Sequence, residues 1–82
     1  MDQTKYYRTN AFYLSVFLLA KNFALESVEK AGNKSVFVFQ NSNKLERLVR
    51  VFSFGEEDDP EVMVNFKKVE RAIKKLKSLI YD

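Results

Sequence analysis

The chain contains no cysteine and no histidine. The lack of cysteine excludes disulfides, thiol catalysis and cysteine-ligated zinc or iron–sulfur centres. The lack of histidine removes the commonest general base and the commonest nitrogen ligand for metals. Serines such as Ser15 and Ser42 therefore have no histidine that could activate a hydroxyl nucleophile. These absences predict a protein that is not an enzyme and that binds no metal or cofactor.

Glycine and proline are scarce, with two glycines and one proline in the chain. A glycine-rich phosphate-binding loop is therefore excluded, and regular secondary structure should dominate. Hydrophobic residues make up 46% of the sequence, which is typical of a globular domain and not of a disordered chain. We expect one domain over residues 1–82, close to the size at which a single core is only just sufficient.

Long hydrophobic runs are also missing. The longest apolar stretch, Ala11–Ala20, is interrupted by Ser15 and is far shorter than the roughly 20 residues that span a bilayer. Met1–Thr9 lacks the basic start and apolar run of a signal peptide. Together with the absence of cysteine, these features predict a cytoplasmic location.

The first half of the chain predicts a strand and then a buried helix. Lys5–Arg8 is short and aromatic, as expected of an edge strand. Thr9 or Asn10 can then accept hydrogen bonds at a helix start. Ala11–Lys21 is apolar nearly all round, so this helix must be covered on most sides. Asn22 suits the left-handed position that ends a helix.

Two strands and a second helix should follow. Ala24–Lys30 and Ser35–Gln40 predict strands joined by a turn at Gly32-Asn33. The run Val36–Phe39 is apolar at every position, so both faces of its strand should be covered.

The sequence offers candidate capping residues at both ends of the second helix. Ser42 and Asn43 can cap its start, and Asn43 and Glu46 have capping-box spacing. Gly55 can end it. Its apolar positions are Leu45, Leu48, Val49 and Phe52.

The last element should be a helix from Asn65 to about Ile80, and we expect a short strand at Val62–Val64 before it. Asp59-Pro60 is also a good helix start, so a helix that begins there is the alternative to this strand. The resulting order, β-α-β-β-α-β-α, is a small two-layer α+β domain in which an antiparallel sheet packs against helices. A hairpin with three helices is the other arrangement considered.

The C-terminal third changes charge sign. Acidic residues occupy Glu56–Asp59 and Glu61, and six of the sixteen residues from Phe66 to Tyr81 are cations, against one acid, Glu70. The helix has an apolar stripe at helical spacing: Phe66, Val69, Ile73, Leu76 and Ile80. The side opposite that stripe carries five cations, called here the basic face: Lys67, Lys68, Arg71, Lys74 and Lys75.

The basic face has two interpretations. It can contact the phosphates of a nucleic acid in a salt-dependent manner, or it can be a solvated helix surface supported by an i,i+4 pair between Glu70 and Lys74. A membrane surface is disfavoured because the core needs the apolar stripe.

Two further candidate sites have similar alternatives. Tyr6 and Tyr7, flanked by Lys5 and Arg8, could stack on nucleic-acid bases, or they could be ordinary edge-strand residues. The acidic stretch Glu56–Asp59 could bind a divalent cation, but its spacing does not match an EF-hand and a solvated loop is the favoured interpretation.

The buried helix raises the possibility of self-association. Its apolar surface is large for a small domain, so part of Phe12, Tyr13, Val16 or Phe17 could form a homodimer interface. Complete coverage by the sheet and the C-terminal helix is the alternative.

One pattern resembles a known family. The run Thr9-Asn10-x3-Leu14-x3-Leu18-Leu19-x3-Phe23 is followed by Phe37-x-Phe39, Val49-x2-Phe52, Phe66 and Leu76-Lys77-x2-Ile80. Over roughly Tyr6 to Tyr81, this resembles a family of small bacterial and phage proteins that is described as a domain of unknown function. Asn22 stands where the family pattern has Gly. The resemblance implies the fold and a microbial or mobile-element setting, and it implies no activity.

The sequence therefore predicts a small non-enzymatic binding protein. The first hypothesis is binding of DNA or RNA through the basic face, with Tyr6, Tyr7 and Arg8 as stacking contacts. The alternative is a protein–protein interaction module, possibly homodimeric, whose lysines are merely solvated. A metal-dependent enzyme using Glu56–Asp59 is a third and remote class. No membrane partner and no small-molecule substrate is indicated.

Overall fold

The computed structural model describes residues 5–81, which form one three-stranded sheet and three helices. The elements are β1 (Tyr6–Thr9), α1 (Phe12–Ala20), β2 (Leu25–Ala31), β3 (Lys34–Gln40), α2 (Asn43–Phe54) and α3 (Phe66–Tyr81). The predicted α+β class, with an antiparallel sheet packed against helices, is confirmed. Within the described residues, no helix combines the length and the apolar character needed to cross a bilayer.

Strand β3 lies at the centre of the sheet, between β1 and β2, and both pairings are antiparallel. Its apolar run is covered on both faces, as predicted. Phe37 and Phe39 are buried in the core that the helices share, and Val38 is buried on the opposite face. Because side chains alternate along a strand, this alternation defines a core face and an outer face of the sheet.

Helix α1 is the centre of the helical layer. It buries most of its apolar side chains and packs against both α2 and α3. Its one buried hydroxyl, at Ser15, donates to the carbonyl oxygen of Ala11 at 3.0 Å, which satisfies that polar group. The helix begins differently from the prediction, since Ala11 is the N-cap and provides no side-chain bond. The hydroxyl of Thr9 accepts from the N–H of Ala11 at 3.1 Å and closes a turn before the helix.

The end of α1 forms as predicted. Asn22 has φ +74°, in the left-handed region. Its N–H donates to the oxygen of Leu19 at 2.9 Å, and the N–H of Phe23 donates to the oxygen of Leu18 at 3.0 Å. These two bonds form a Schellman motif, which satisfies carbonyl groups that the helix leaves free.

Helix α2 is capped by Ser42, whose hydroxyl accepts from the N–H of Leu45 at 3.0 Å. The predicted capping box between Asn43 and Glu46 is wrong, because Asn43 is already the first helical residue. The carboxylate of Glu46 instead accepts from the side-chain amide of Asn41 at 2.8 Å.

Gly55 ends α2, as predicted. A Cβ at this position would lie 2.6 Å from the carbonyl oxygen of Val51 and 3.1 Å from a methyl group of Val62. Glycine is therefore required by close packing and not by its φ of −73°.

The strand predicted at Val62–Val64 is wrong, since the described chain has a series of turns there. The N–H of Val62 donates to the oxygen of Asp59 at 2.9 Å, and the N–H of Met63 donates to the oxygen of Pro60 at 3.3 Å. These local bonds use the donors that a strand would need for pairing, so the alternating pattern of the sequence has no sheet to join.

Helix α3 begins after Asn65, as predicted, and the side chain of Asn65 accepts from the N–H of Lys68 at 3.2 Å. The predicted stripe is confirmed except at its first position. Phe66 is 76% exposed, whereas Ala72, outside the predicted stripe, is buried beside Leu76. Because a helix turns about 100° per residue, Phe66 and Ala72 lie towards opposite edges of the stripe, and α1 covers the Ala72 edge.

Candidate nucleic-acid interface on helix α3

The basic face lies on the side of α3 away from the core. Lys67, Arg71, Lys74 and Lys75 are exposed, and Lys68 is half-buried beside the end of α1. Helix α3 runs antiparallel to α1, so its first turn meets the last turn of α1. The amine of Lys68 donates to the side-chain oxygen of Asn22 at 3.1 Å across this junction.

A groove separates the basic face from the end of α1. Three cations spaced i, i+3 and i+7 along α3 form one wall, because this spacing keeps them on one side of a helix. The groove has a volume of about 240 Å³ and is lined by Leu19, Asn22, Lys68, Arg71, Ala72 and Lys75. Its lining combines two apolar side chains with three cations and one amide. Such a concave site can hold an anionic group better than a convex row of lysines can.

Lys67 and Lys74 extend the positive charge beyond the groove. They are seven residues apart and therefore about 10 Å apart along the helix axis, since each residue advances it by about 1.5 Å. Arg71 lies between these two lysines and the groove. The basic face is thus a continuous surface about two helical turns long.

The cations of the basic face have no carboxylate partners within residues 5–81. The ion pairs found in that range join Arg8 to Glu29 and Arg47 to Glu61, on other elements. The predicted pair between Glu70 and Lys74 is not formed. Five cations on one helix face that form no ion pair within residues 5–81 repel each other, and an anionic partner would reduce that repulsion.

The structure places Tyr6 and Arg8 on the outer face of the sheet, beside Val38. The Arg8 guanidinium lies 5.8 Å from the centre of the Tyr6 ring and 3.4 Å from a carboxylate oxygen of Glu29. The amine of Lys5 lies 5.6 Å from the same ring. Because α3 is on the core side of the sheet, these residues do not share a surface with the basic face.

Tyr7 lies on the core face of the sheet and is half-buried. Desolvation by this burial raises the pKa of Tyr7 above its ordinary value. The three predicted stacking residues are therefore divided between the two faces of the sheet.

The predicted dimer residues on α1 are mostly unavailable. Val16 and Phe17 are buried within the chain, so they cannot lie in an interface between folded copies. Phe12 is partly buried and packs edge-on against Phe37, with ring centres 6.4 Å apart. Only Tyr13 of the four is largely exposed, at 69%.

The acidic stretch splits into an engaged part and an exposed part. The carboxylate of Asp59 accepts from the N–H of Glu61 at 2.9 Å, and Glu61 pairs with Arg47. Glu56, Glu57 and Asp58, called here the acidic segment, are exposed. Within the described residues, no three carboxylates gather into a group that could hold a metal ion.

Sequence reasoning missed the exposure of four apolar side chains, which belong to α2, to the turn segment after it and to α3. They are Phe52, Phe54, Met63 and Phe66. Phe54 was detectable, because it lies off the apolar stripe of α2. The exposure of Met63 and Phe66 was not detectable. Met63 belongs to the predicted strand Val62–Val64 and Phe66 to the predicted apolar stripe of α3, and both would have been covered there.

Comparison with known proteins gives a family and no activity. Searches of the curated proteins and of the solved structures found no significant match. The sequence profile of DUF5659, a domain of unknown function, matches residues 4–82. This match covers every element of the fold and confirms the predicted resemblance to a family of unknown function; the microbial or mobile-element setting stays a prediction. The chain belongs to the DUF5659 family.

Proposed function

We propose that this protein binds nucleic acid, DNA or RNA, through the basic face of α3. The observation that carries the proposal is the grouping of five cations that have no carboxylate partner within residues 5–81, three of them along one groove. The phosphate backbone is the polyanion that such a row of cations fits, because each contacted phosphate releases condensed counterions.

The chemistry of the face favours contacts with phosphates over contacts with bases. Four of the five cations are lysines, which act as point charges on phosphate oxygens. Arg71 is the one guanidinium of the basic face, and its fork can hold a phosphate through two bonds. We therefore expect binding with little sequence preference. Tyr6 and Arg8 are not needed for it, because they lie on the outer face of the sheet.

Salt dependence gives the first test. Fluorescence anisotropy of labelled single- and double-stranded DNA and RNA should report binding that weakens steeply with salt. If all five cations contact phosphates, the logarithm of the affinity should fall with the logarithm of salt at a slope of about −4. No binding to any of the four ligands at about 50 mM salt, where such contacts are strongest, would refute the proposal.

A matched pair of charge reversals tests the surface itself. The base-reversed chain carries Lys67→Glu, Arg71→Glu and Lys74→Glu. The control chain has the same change in net charge on β3 and α2: Lys34→Glu, Lys44→Glu and Arg50→Glu. We expect the base-reversed chain to lose at least about tenfold more affinity than the control. An equal loss in both chains would show that net charge, and not this face, governs binding.

A protein-interaction module is the second candidate function. The observation that favours it is the exposure of large apolar side chains, since Phe54 is 84% exposed and Phe66 is 76% exposed. Exposed apolar surface is typical of interaction sites when it forms a patch. Under this function the basic face is only solvated surface, so the base-reversed chain should bind its protein partner as well as the native chain does.

We further propose that the protein is non-enzymatic and cytoplasmic. The absence of cysteine and histidine supports both statements, because it removes the commonest catalytic groups and fits a reducing compartment. An assay for divalent-ion binding, repeated after replacement of Asp58 and Asp59, tests the remote metal-dependent alternative.

A further inference from the structure

We propose that the groove between α1 and α3 holds the terminal phosphate of a nucleic-acid strand, a phosphomonoester, while Lys67 and Lys74 outside the groove contact internal phosphates of the same strand. The inference rests on the proposed nucleic-acid function and names the part of the strand that the groove takes. A strand that ends in a phosphate is therefore the expected ligand.

The groove brings three cations to one place. Lys68, Arg71 and Lys75 line the same cavity of about 240 Å³, and within the described part of the chain none of its lining residues is acidic. An internal phosphate of a strand carries one negative charge, whereas a terminal phosphate carries about 1.5 to 2 at pH 7 and has three acceptor oxygens. Three cations around one small cavity therefore match a terminal phosphate better than an internal one.

The donors of the groove suit a group with several oxygens. The guanidinium of Arg71 is a planar fork that can hold two phosphate oxygens at once. Each lysine ammonium has three donors, and Lys68 uses one of them on the side-chain oxygen of Asn22 at 3.1 Å. The remaining donors of Lys68, together with those of Arg71 and Lys75, are enough to satisfy all the oxygens of one terminal phosphate.

One wall of the groove is ordered before any ligand binds. The Schellman motif fixes the backbone of Asn22, with φ +74°, and the hydrogen bond from Lys68 ties that amine to the same turn. An ordered side chain loses less conformational entropy on binding than a free one does. Lys67 and Lys74 are exposed and are not tied to this turn, so the groove is the pre-organised part of the basic face.

The size and lining of the groove indicate the end of a strand and not a whole small molecule. Pockets that enclose whole small-molecule ligands typically have about 300–1,000 Å³, and this groove has less. Leu19 and Ala72 add apolar surface to its lining, which can contact the carbon atoms of the sugar next to the phosphate. The rest of the strand then lies outside the groove, where Lys67 and Lys74 extend the positive charge.

The first test compares strands that differ only at one end. Unlabelled strands compete with one labelled strand in fluorescence anisotropy at about 100 mM salt. They carry a 5′-phosphate, a 5′-hydroxyl, or a 5′-hydroxyl with two added nucleotides, which equalises the total charge with the phosphorylated strand. We expect the phosphorylated strand to bind at least about tenfold more tightly than both others.

Two outcomes of this comparison decide the inference. A strand with a 3′-phosphate is measured in the same way, and the preference must appear at one end at least. Equal binding of the phosphorylated strands and the lengthened strand would show that total charge governs binding, and the proposal would then be overturned.

A matched pair of variants tests the groove itself. The groove-neutral chain carries Lys68→Gln and Lys75→Gln, and the flank-neutral chain carries Lys67→Gln and Lys74→Gln, so both have the same net charge. The groove-neutral chain should lose the preference of about tenfold for the phosphorylated strand, and the flank-neutral chain should keep it. Because the preference is a ratio measured within each chain, a fraction of misfolded protein does not change it.

A single substitution guards against an effect of Lys68 on the end of α1. Lys75→Gln changes an exposed side chain and should by itself lower the preference at least about threefold. A preference that is lost equally in the groove-neutral and flank-neutral chains would overturn the proposal.

Free nucleotide carries the same phosphomonoester without a strand. A nucleoside monophosphate should compete at least about a hundredfold more weakly than the phosphorylated strand, because it has no internal phosphates for Lys67 and Lys74. Competition as strong as that of the strand would overturn the assignment to a strand end.

The failure of this inference can be told from failure of the proposed function. If strands bind with steep salt dependence and show no preference for a terminal phosphate, nucleic-acid binding stands and the inference is wrong. If no strand binds at about 50 mM salt, both are wrong.

Discussion

Helices α1 and α3 lie side by side and are built in opposite ways. Helix α1 has nine residues and no charged one, and six of the nine are buried. Helix α3 has sixteen residues, six of them cations, and buries only Ala72 and Leu76 completely. The difference arises because α1 is packed by α2, α3 and the sheet, whereas α3 is packed on one side only. Stability should therefore depend mainly on α1, and binding on α3.

The largest expected effect tests the stability of α1. Leu18 is completely buried, so Leu18→Ala should lower the free energy of unfolding by about 2–5 kcal/mol through lost burial and a residual cavity. Leu79→Ala is the control on α3, where the side chain is 47% exposed, and it should cost less than about 1 kcal/mol. Urea unfolding measures both. Equal costs would contradict the division between the two helices.

The junction between the helices gives the second prediction. Asn22 holds a left-handed conformation that costs most residues about 1–2 kcal/mol. Asn22→Ala should therefore be less stable than Asn22→Gly by about 1 kcal/mol in urea unfolding. Both substitutions remove the hydrogen bond from Lys68, so the difference between them reports the backbone alone. If the two variants were equally stable, the helix end would not depend on this conformation.

Neutralising the basic face should hardly change stability. The chain with Lys67→Gln, Arg71→Gln and Lys74→Gln should differ from the native chain by no more than about 0.5 kcal/mol, because these side chains are exposed and have no ion pairs within residues 5–81. Its salt slope for nucleic-acid binding should become shallower by about 3. A clear loss of stability would mean that the cations support the fold.

The smallest effect concerns β1, on the other side of the core from the basic face. Burial raises the pKa of Tyr7 above its ordinary value of 10.0, so the folded chain keeps this proton at a pH where the unfolded chain releases it. The contribution of Tyr7 to the free energy of unfolding is therefore complete below pH 10.0 and is lost as the pH rises through the folded-state pKa.

Removal of this hydroxyl should make the alkaline loss shallower. Unfolding of Tyr7→Phe and of the native chain, measured between about pH 9 and pH 11, gives the comparison. Identical pH dependence in the two chains would show that Tyr7 is not desolvated.

Most of the fold was predictable because its signals are local. The apolar run of β3, the all-apolar α1 and the left-handed residue at Asn22 each predict their own structure. The wrong prediction at Val62–Val64 has a different cause. Its alternating pattern suits a strand, but the hydrogen bonds to Asp59 and Pro60 close turns instead, and no neighbouring edge competes for those donors.

The candidate site was predictable in part. Helical periodicity alone put the five cations of the basic face together. Periodicity does not reveal that α1 ends beside Lys68, so the groove could not be predicted. Periodicity also does not show which elements will pack against each edge of α3. It therefore predicts Phe66 in the core and leaves Ala72 out, whereas the structure exposes Phe66 and buries Ala72.

The sequence by itself determined the class of fold, the buried helix and the side of α3 that faces solvent. These follow from periodicity and from residue preferences, which act over a few neighbouring residues. Only the tertiary structure decided that Tyr6 and Arg8 lie away from the basic face, that Val16 and Phe17 are covered, and that Phe66 is exposed while Ala72 is buried. Those outcomes depend on which elements pack together, because burial is settled by contacts between residues far apart in the chain.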